Sequence, residues 1–495
     1  MLFGAKKVNM SYSQNKNFFS KLRSFNRWKD VITTSTKTMI KLPIYDAKYD
    51  DKYGEILSDL VNSERKFTSI VMTEMLTITS KYFEQGFKFF LSAKGENIRH
   101  FSITSNVIHL RFFSDPSSKE ITSALKFLPN LEHLDLSLYL ITLSEKVTMN
   151  KLKSLKTWNV DLLKFIEAPQ LTKLNLTSHL DTHGKNVAVE YLRKLTHLKQ
   201  LSVDEDLLNF EKDEIEFSFK LKKLKFNGCT HHGLMQDKSL EENSMKFLRQ
   251  QGKTLINLQI PKGLPLIFIR EIFTTFENLK WLHLDPLSLP KDENFYKNLK
   301  PLENVWFLKL DCGFGNHGVA EAFHALFPKL KSFKLRGSAN LVFLKSYYVF
   351  LMKFHKNIEH LNFPVFIFDR DTRDICLFEN LKSLEFKEVC CYGLQFILRH
   401  QHLEKLSFQI RDLERDQKDD VSVHRFMELP NLKSLKVRGS LLSLKKFYDF
   451  VKADYKNLSD VTFETFHPTV SIKIEFPNDR KYFNSEVYDA FFQKN

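Results

Sequence analysis

The sequence predicts an α/β solenoid, a chain of small modules in which short parallel strands alternate with helices. Two observations lead to this prediction. A six-residue phrase of the form L-x-x-L-x-L recurs along most of the chain, and the segments between its copies carry apolar residues at helical spacing. Because the phrase occurs about sixteen times in 495 residues, the repeat organises the fold.

The copies of the phrase fix where strands are expected. Clear copies start at Leu131, Leu171, Leu198, Leu221, Leu255, Leu279, Val305, Leu330, Ile358, Leu381, Leu403, Leu432 and Leu458, and weaker ones at Phe67, Ile98 and Leu152 or Leu155. From Leu198 onward the starts lie 22 to 34 residues apart, which leaves room for one strand and one return helix in each module.

The segments between the phrases predict the helices. Three examples with one apolar face are Ile269, Ile272, Phe273 and Phe276; Val319, Ala322, Phe323 and Leu326; and Leu444, Phe447, Tyr448 and Val451. A single strand and helix cannot bury this apolar face alone. Stacked modules close a continuous core, with strands expected on the concave side and helices on the convex side of a horseshoe.

With this phrase and spacing, residues 61–466 resemble the leucine-rich-repeat family, which implies a horseshoe solenoid. The position where the shorter repeats of that family place Asn is usually occupied differently here, and only "LKKLKFNGC" keeps the Cys variant, at Cys229. The repeats therefore resemble the irregular, helix-bearing intracellular class.

The N-terminal part lacks the repeat. Residues 1–17 are polar and expected to be disordered, whereas 18–60 open with a helical pattern. Placed before leucine-rich repeats, "LRSFNRWKDVITTS" resembles the second half of an F-box, with no counterpart of the first F-box helix. The resemblance implies docking on the adaptor subunit of a cullin-RING ubiquitin ligase, through Leu22, Phe25, Trp28 and Val31. A helical cap of the repeats without a partner is the alternative.

Two further segments need a separate interpretation. Gly313, Gly315 and Gly318 spell G-x-G-x-x-G, but "FLKLDC" before them alternates in polarity and no acidic residue marks the following strand, so we expect a turn and no dinucleotide. Residues 467–495 alternate over "VSIKIEF" and end in a short expected helix. They are predicted to form a C-terminal cap on the last strand edge.

Composition excludes several classes of protein. The five cysteines are few and odd in number, which argues against an extracellular disulfide framework, and no apolar run or leader predicts a membrane span or a signal peptide. No catalytic motif or metal-ligand set occurs, so we expect no enzyme activity, no metal and no cofactor. The chain is expected inside the cell, in the cytoplasm or nucleus.

The concave face is the expected binding surface, because in each phrase the residues flanking the last two apolar positions point outward. We predict an aromatic patch and, beyond it, a basic stripe as partner contacts. The candidates are Trp281, His283, Phe307, Lys309, Lys334, Arg336, Lys387, Lys405, Lys436 and Arg438. Such a surface would favour an acidic or phosphorylated protein.

The sequence thus predicts a non-enzymatic solenoid that binds a protein, as the substrate receptor of a cullin-RING (SCF-type) ubiquitin ligase. A leucine-rich-repeat scaffold without ligase association is the alternative. The net charge of +15 also raises nucleic-acid binding, but acidic residues are interspersed and no basic tail or binding module occurs, so nucleic acid is not the expected partner, nor is a membrane.

Overall fold

A computed structural model describes most of the repeats. The described residues are 39–42, 61–62, 66–73, 81–104, 118–137, 143–177, 182–204, 216–227, 238–260, 266–285, 289–311, 317–336, 351, 353–366, 378–389, 397–409, 426, 428–439, 458–465 and 471–475. The chain packs as two units, an N-terminal unit over Lys16–Pro261 and a C-terminal unit that contains Lys262–Asn495.

The N-terminal unit is a parallel sheet with helices between its strands. Its strands are β1 (Met39–Leu42), β2 (Ser69–Thr73), β3 (His100–Thr104), β4 (His133–Ser137), β5 (Val147–Thr148), β6 (Ser154–Thr157), β7 (Ile166–Glu167), β8 (Lys173–Leu176), β9 (Gln200–Asp204), β10 (Lys223–Asn227) and β11 (Asn257–Gln259). Its helices in the described residues are α1 (Lys81–Lys94), α2 (Ser118–Lys126), α3 (Thr182–Arg193) and α4 (Lys238–Gly252), with 3₁₀ turns at Gly95–Asn97 and Val160–Lys164. The two-residue strands β5 and β7 pair with each other, apart from the main sheet.

The C-terminal unit has the same organisation. Its strands are β12 (Trp281–Leu284), β13 (Phe307–Leu310), β14 (Ser332–Leu335), β15 (His360–Phe366), β16 (Ser383–Val389), β17 (Lys405–Gln409), β18 (Ser434–Gly439), β19 (Asp460–Thr465) and β20 (Ser471–Glu475). Its helices in the described part are α5 (Leu266–Thr275), α6 (Glu293–Lys297) and α7 (His317–His324). Strands β12 to β19 pair in parallel in chain order, and β20 pairs antiparallel with β19.

The predicted fold class is confirmed, because each unit stacks parallel strands of successive leucine-rich modules. Every main-sheet strand from β2 to β19 begins two residues after the start of a phrase, as Trp281 follows Leu279 and Ser332 follows Leu330. The helix predictions for 269–276 and 319–326 correspond to α5 and α7. The third predicted helix, at 444–451, lies outside the described residues.

Strand β1 was not predicted. It pairs in parallel with β2, so the sheet extends into 18–60, the segment predicted to be F-box-like and helical. In "KTMIKL" a lysine, Lys37, occupies the first apolar position of the phrase, and the pattern was therefore not recognised. The predicted cap at 467–495 contains β20. The domain boundaries otherwise stay a prediction.

A buried row of apolar side chains joins the modules. The second residue of each main-sheet strand from β2 to β19 aligns with its counterparts on the neighbouring strands, and none of the aligned side chains is more than 2% exposed. In the N-terminal unit the row contains Leu134, Leu155, Leu174, Leu201, Leu224 and Leu258; in the C-terminal unit it contains Leu282, Leu308, Phe333, Leu361, Leu384, Leu406, Leu435 and Val461. Each such burial contributes about 1.5–3 kcal/mol, and only adjacent modules provide it.

Gly95 allows two modules to approach closely. It lies in the 3₁₀ turn after α1, where a Cβ atom would stand 2.1 Å from the backbone oxygen of Phe127, just after α2. Because backbone must move to admit a methyl group, we expect Gly95→Ala to lower the free energy of unfolding by about 1–3 kcal/mol. Chemical unfolding measures this. The control Glu96→Ala, at an exposed position of the same turn, should stay within about 0.5 kcal/mol, and equal effects of the two changes would contradict the packing described.

Candidate functional site

An aromatic cluster lies on the sheet face opposite the buried row, which we call the open sheet face. Trp281 and Phe307 are partners in the register of β12 and β13, and their rings stack with centroids 5.0 Å apart and planes 11° from parallel. Trp306 meets Phe307 edge-on at 6.1 Å and is 42% exposed. We call Trp281, Trp306 and Phe307 the aromatic platform.

Two of the three platform residues were predicted from the sequence. Trp306 was missed because it occupies the second position of its phrase, outside the two outward positions that the pleat assigns. The signal was nevertheless readable. Lys280 and Lys331 fill this position in the neighbouring modules, and a tryptophan between lysines stands out.

Two residues further along the same strands, polar side chains replace the aromatic ones. Lys309 donates from Nζ to Nδ1 of His283 at 3.2 Å, and His283 Nε2 lies 2.8 Å from Oδ1 of Asp311. Lys309 Nζ is also 3.7 Å from that carboxylate. These contacts connect β12, β13 and the residue after β13 beside the platform.

The predicted exposure of Lys309 is wrong, since its residue surface is only 7% exposed and that of His283 4%. The side chain lies along the sheet toward His283 and Asp311, where its ammonium finds an acceptor and a counter-charge. The aliphatic stem of a lysine is readily buried in this way. The side chains of both residues are therefore largely buried at the open sheet face. Their contact with a partner stays a prediction.

Burial and neighbouring charges lower two pKa values in this cluster. Desolvation is the main cause for Lys309, whose pKa falls to about 8, and the positive charges of Arg336 and Lys334 add to it. Desolvation also lowers the pKa of His283, against the opposing effect of Asp311. At neutral pH His283 is therefore uncharged, and the hydrogen bond from Lys309 to Nδ1 places its proton on Nε2, toward Asp311.

The predicted basic stripe is present on the strands but is interrupted by acids. Lys334 is aligned with Lys309 and lies 3.9 Å from Glu385, while Arg336 is exposed. Arg438 is aligned with Glu464. The remaining candidates are Lys387 on β16, Lys405 on β17 and Lys436 on β18. Whether these residues contact a partner stays a prediction.

Lysines at the second position of the phrase are paired across modules. Glu359 accepts hydrogen bonds from Lys331 and Lys382, each at 2.9 Å, and these bonds lower the pKa of Glu359 to about 2. Glu132 lies likewise between Arg99 and Lys153, at 3.2 and 2.7 Å. Part of the lysine excess therefore forms ion pairs between successive modules.

Several predicted features lie outside the described residues. The adaptor-docking residues Leu22, Phe25, Trp28 and Val31 are among them, as are Gly313 and Gly315, whereas Gly318 lies on α7. Within the part of the chain that the structure describes, no group of three or more His, Cys, Asp or Glu side chains could hold a metal ion. The described helices include none with the length and apolar character needed to cross a membrane.

Comparisons with known proteins return matches among solved structures. No family model matches the sequence, and no curated protein matches it. Among solved structures, the Rad7 and Elc1 complex of yeast has 13% identity and a TM-score of 0.35, over 66% of this chain and 83% of that chain. A protein of Bacteroides fragilis has 12% identity and a TM-score of 0.26, over 71% of this chain and 83% of that chain. Neither similarity is close enough to assign a function.

Proposed function

We propose that this protein is a non-enzymatic, protein-binding solenoid that serves as the substrate receptor of a cullin-RING ubiquitin ligase. The N-terminal segment would dock on the adaptor subunit of the ligase, and the open sheet face would hold the protein to be ubiquitinated. The observation that carries the binding role is the aromatic platform, a stacked and partly exposed cluster on a hydrogen-bonded sheet.

The platform has the properties of a binding anchor. Trp is among the residues that dominate binding energy in protein interfaces, and an anchor works best when it is held rigidly before the partner arrives. Trp281 and Phe307 hold each other in place by stacking, and the Lys309 to His283 hydrogen bond lies beside them. A solvent-facing tryptophan such as Trp306 offers apolar area that a partner could cover.

The ligase role rests on the F-box resemblance of the segment 18–60, through "LRSFNRWKDVITTS", together with the repeats that follow it. We expect the purified chain to retain the adaptor subunit of a cullin-RING ligase in a pull-down, and Trp28→Ala to lose most of that binding. Phe89→Ala is the matched control, because Phe89 is an exposed aromatic residue on α1 of the N-terminal unit. Failure of the unchanged chain to retain the adaptor would contradict the ligase role.

A scaffold without ligase association is the second candidate. Strand β1 favours it, because Met39–Leu42 pairs with β2 in the sheet and is therefore not part of a separate docking module. If the protein is such a scaffold, it should not bind the adaptor, and its open sheet face should still bind a protein. The adaptor pull-down therefore separates the two.

A further inference from the structure

We propose that the aromatic platform and the two cations beside it bind an extended acidic segment of a partner protein, with one hydrophobic anchor residue and carboxylates two and four residues from it. This inference rests on the proposed protein-binding function and names the chemistry of the bound segment. It concerns the open sheet face alone and is independent of adaptor docking.

The hydrophobic part of the proposed segment is defined by the platform. The rings of Trp281 and Phe307 stack, so each covers one face of the other. A ligand side chain would cover their exposed edges and the neighbouring ring of Trp306. An aromatic or large aliphatic side chain fits such a surface, because burying it removes apolar area of both partners from water.

The acidic part is defined by Lys334 and Arg336. Arg336 is exposed and forms no ion pair among the described residues, whereas Lys334 lies 3.9 Å from Glu385. The charges of Arg336 and Lys334 add to the desolvation that lowers the pKa of Lys309, against the opposing effect of Asp311, so both cations lie near Lys309. The nearby acids are shared among several partners. Asp311 lies against His283 and Lys309, and Glu385, the partner of Lys334, also accepts a hydrogen bond from Asn362.

The register of the sheet gives the spacing of the segment. Lys334 lies one strand over and two residues further along than Phe307, and Arg336 lies two residues beyond Lys334. With about 3.3 Å per residue and about 4.8 Å between strands, the two cations are about 8 and 14 Å from the anchor point. An extended peptide covers these distances in about two and four residues.

A random 12-residue peptide display library, selected on the purified full-length chain, tests this inference. We expect enrichment of peptides with Trp, Phe or Leu and with Asp or Glu two and four residues away. The best peptide should bind at least about tenfold more weakly to Trp281→Ala and to Arg336→Glu in fluorescence polarisation. The matched control Lys329→Glu reverses an exposed charge just before β14 and should leave the affinity unchanged.

Three results would overturn the inference: no enrichment, enrichment without acidic residues, or selected peptides that bind Arg336→Glu as tightly as the unchanged chain. Because Arg336 is exposed, its replacement should preserve folding, so the test does not depend on the Trp281 variant. Peptide binding without adaptor binding would contradict the ligase role and leave this inference standing. Adaptor binding without peptide enrichment would support the ligase role and overturn this inference.

Discussion

Phe323→Ala is expected to lower the free energy of unfolding of the C-terminal unit by about 3–5 kcal/mol. Phe323 lies on α7, is fully buried, and its ring contacts those of Tyr296 on α6 and Phe327, with centroids 5.7 and 5.0 Å apart. The residue therefore fills a space shared by two successive modules. Its removal leaves a cavity that neither module can close alone. The expected loss of unfolding free energy is therefore larger than that of most single substitutions.

Urea unfolding followed by the fluorescence of Trp281 and Trp306 measures the effect of this change. The matched control is Ile267→Ala, since Ile267 is a large apolar residue on α5 of the same unit but is 45% exposed. Its replacement should stay within about 0.5 kcal/mol. Similar losses for both variants would contradict the assignment of Phe323 to a core shared between modules.

A drop in stability of at least about 3 kcal/mol is expected between pH 6.5 and pH 4 from one buried histidine pair, because the lowered pKa of His355 alone accounts for about that much. His324 Nδ1 lies 3.0 Å from His355 Nε2, and both residues are buried. Burial lowers the pKa of His355 to about 4, and burial together with the nearby His355 lowers that of His324. Because the unfolded chain binds protons near pH 6.5 and the folded chain does not, stability falls as the pH decreases through this window.

The double variant His324→Phe, His355→Leu isolates this contribution. The difference in unfolding free energy between variant and unchanged chain should shift by at least about 3 kcal/mol in favour of the variant from pH 7 to pH 4, since both histidines are removed. Replacing the exposed His402 by glutamine should leave the pH profile as it was. A difference independent of pH would show that the pair does not titrate as described.

The strands were predictable because burial and chain geometry impose one pattern on every module. In the phrase, the apolar residues that precede and enter the strand all face the buried row, so the sequence alone placed β2 to β19 of the main sheet. Strand β1 was missed for a local reason. Its neighbour β2 supplies the hydrogen bonds of a strand even though Lys37 breaks the apolar pattern.

The site was less predictable, because alternation along a strand determines only the face of the sheet on which a side chain starts. It does not determine where the end of a long side chain lies. The side chain of Lys309 starts on the open sheet face and then turns toward His283 and Asp311, which are close to it only through the pairing of β12 with β13. The pairing of Glu359 with two lysines likewise depends on the register between strands.

The central claim is that the residues of each strand alternate between a shared apolar core and an open sheet face. The most direct test replaces Lys223, Leu224, Lys225 and Phe226 of β10 by cysteine, one at a time, and measures thiol alkylation by peptide-resolved mass spectrometry. We expect fast labelling at 223 and 225 and slow labelling at 224 and 226, following the exposure along this strand. Labelling at equal rates, or fast at 224 and 226, would contradict the account, because a shift of one residue exchanges the two faces.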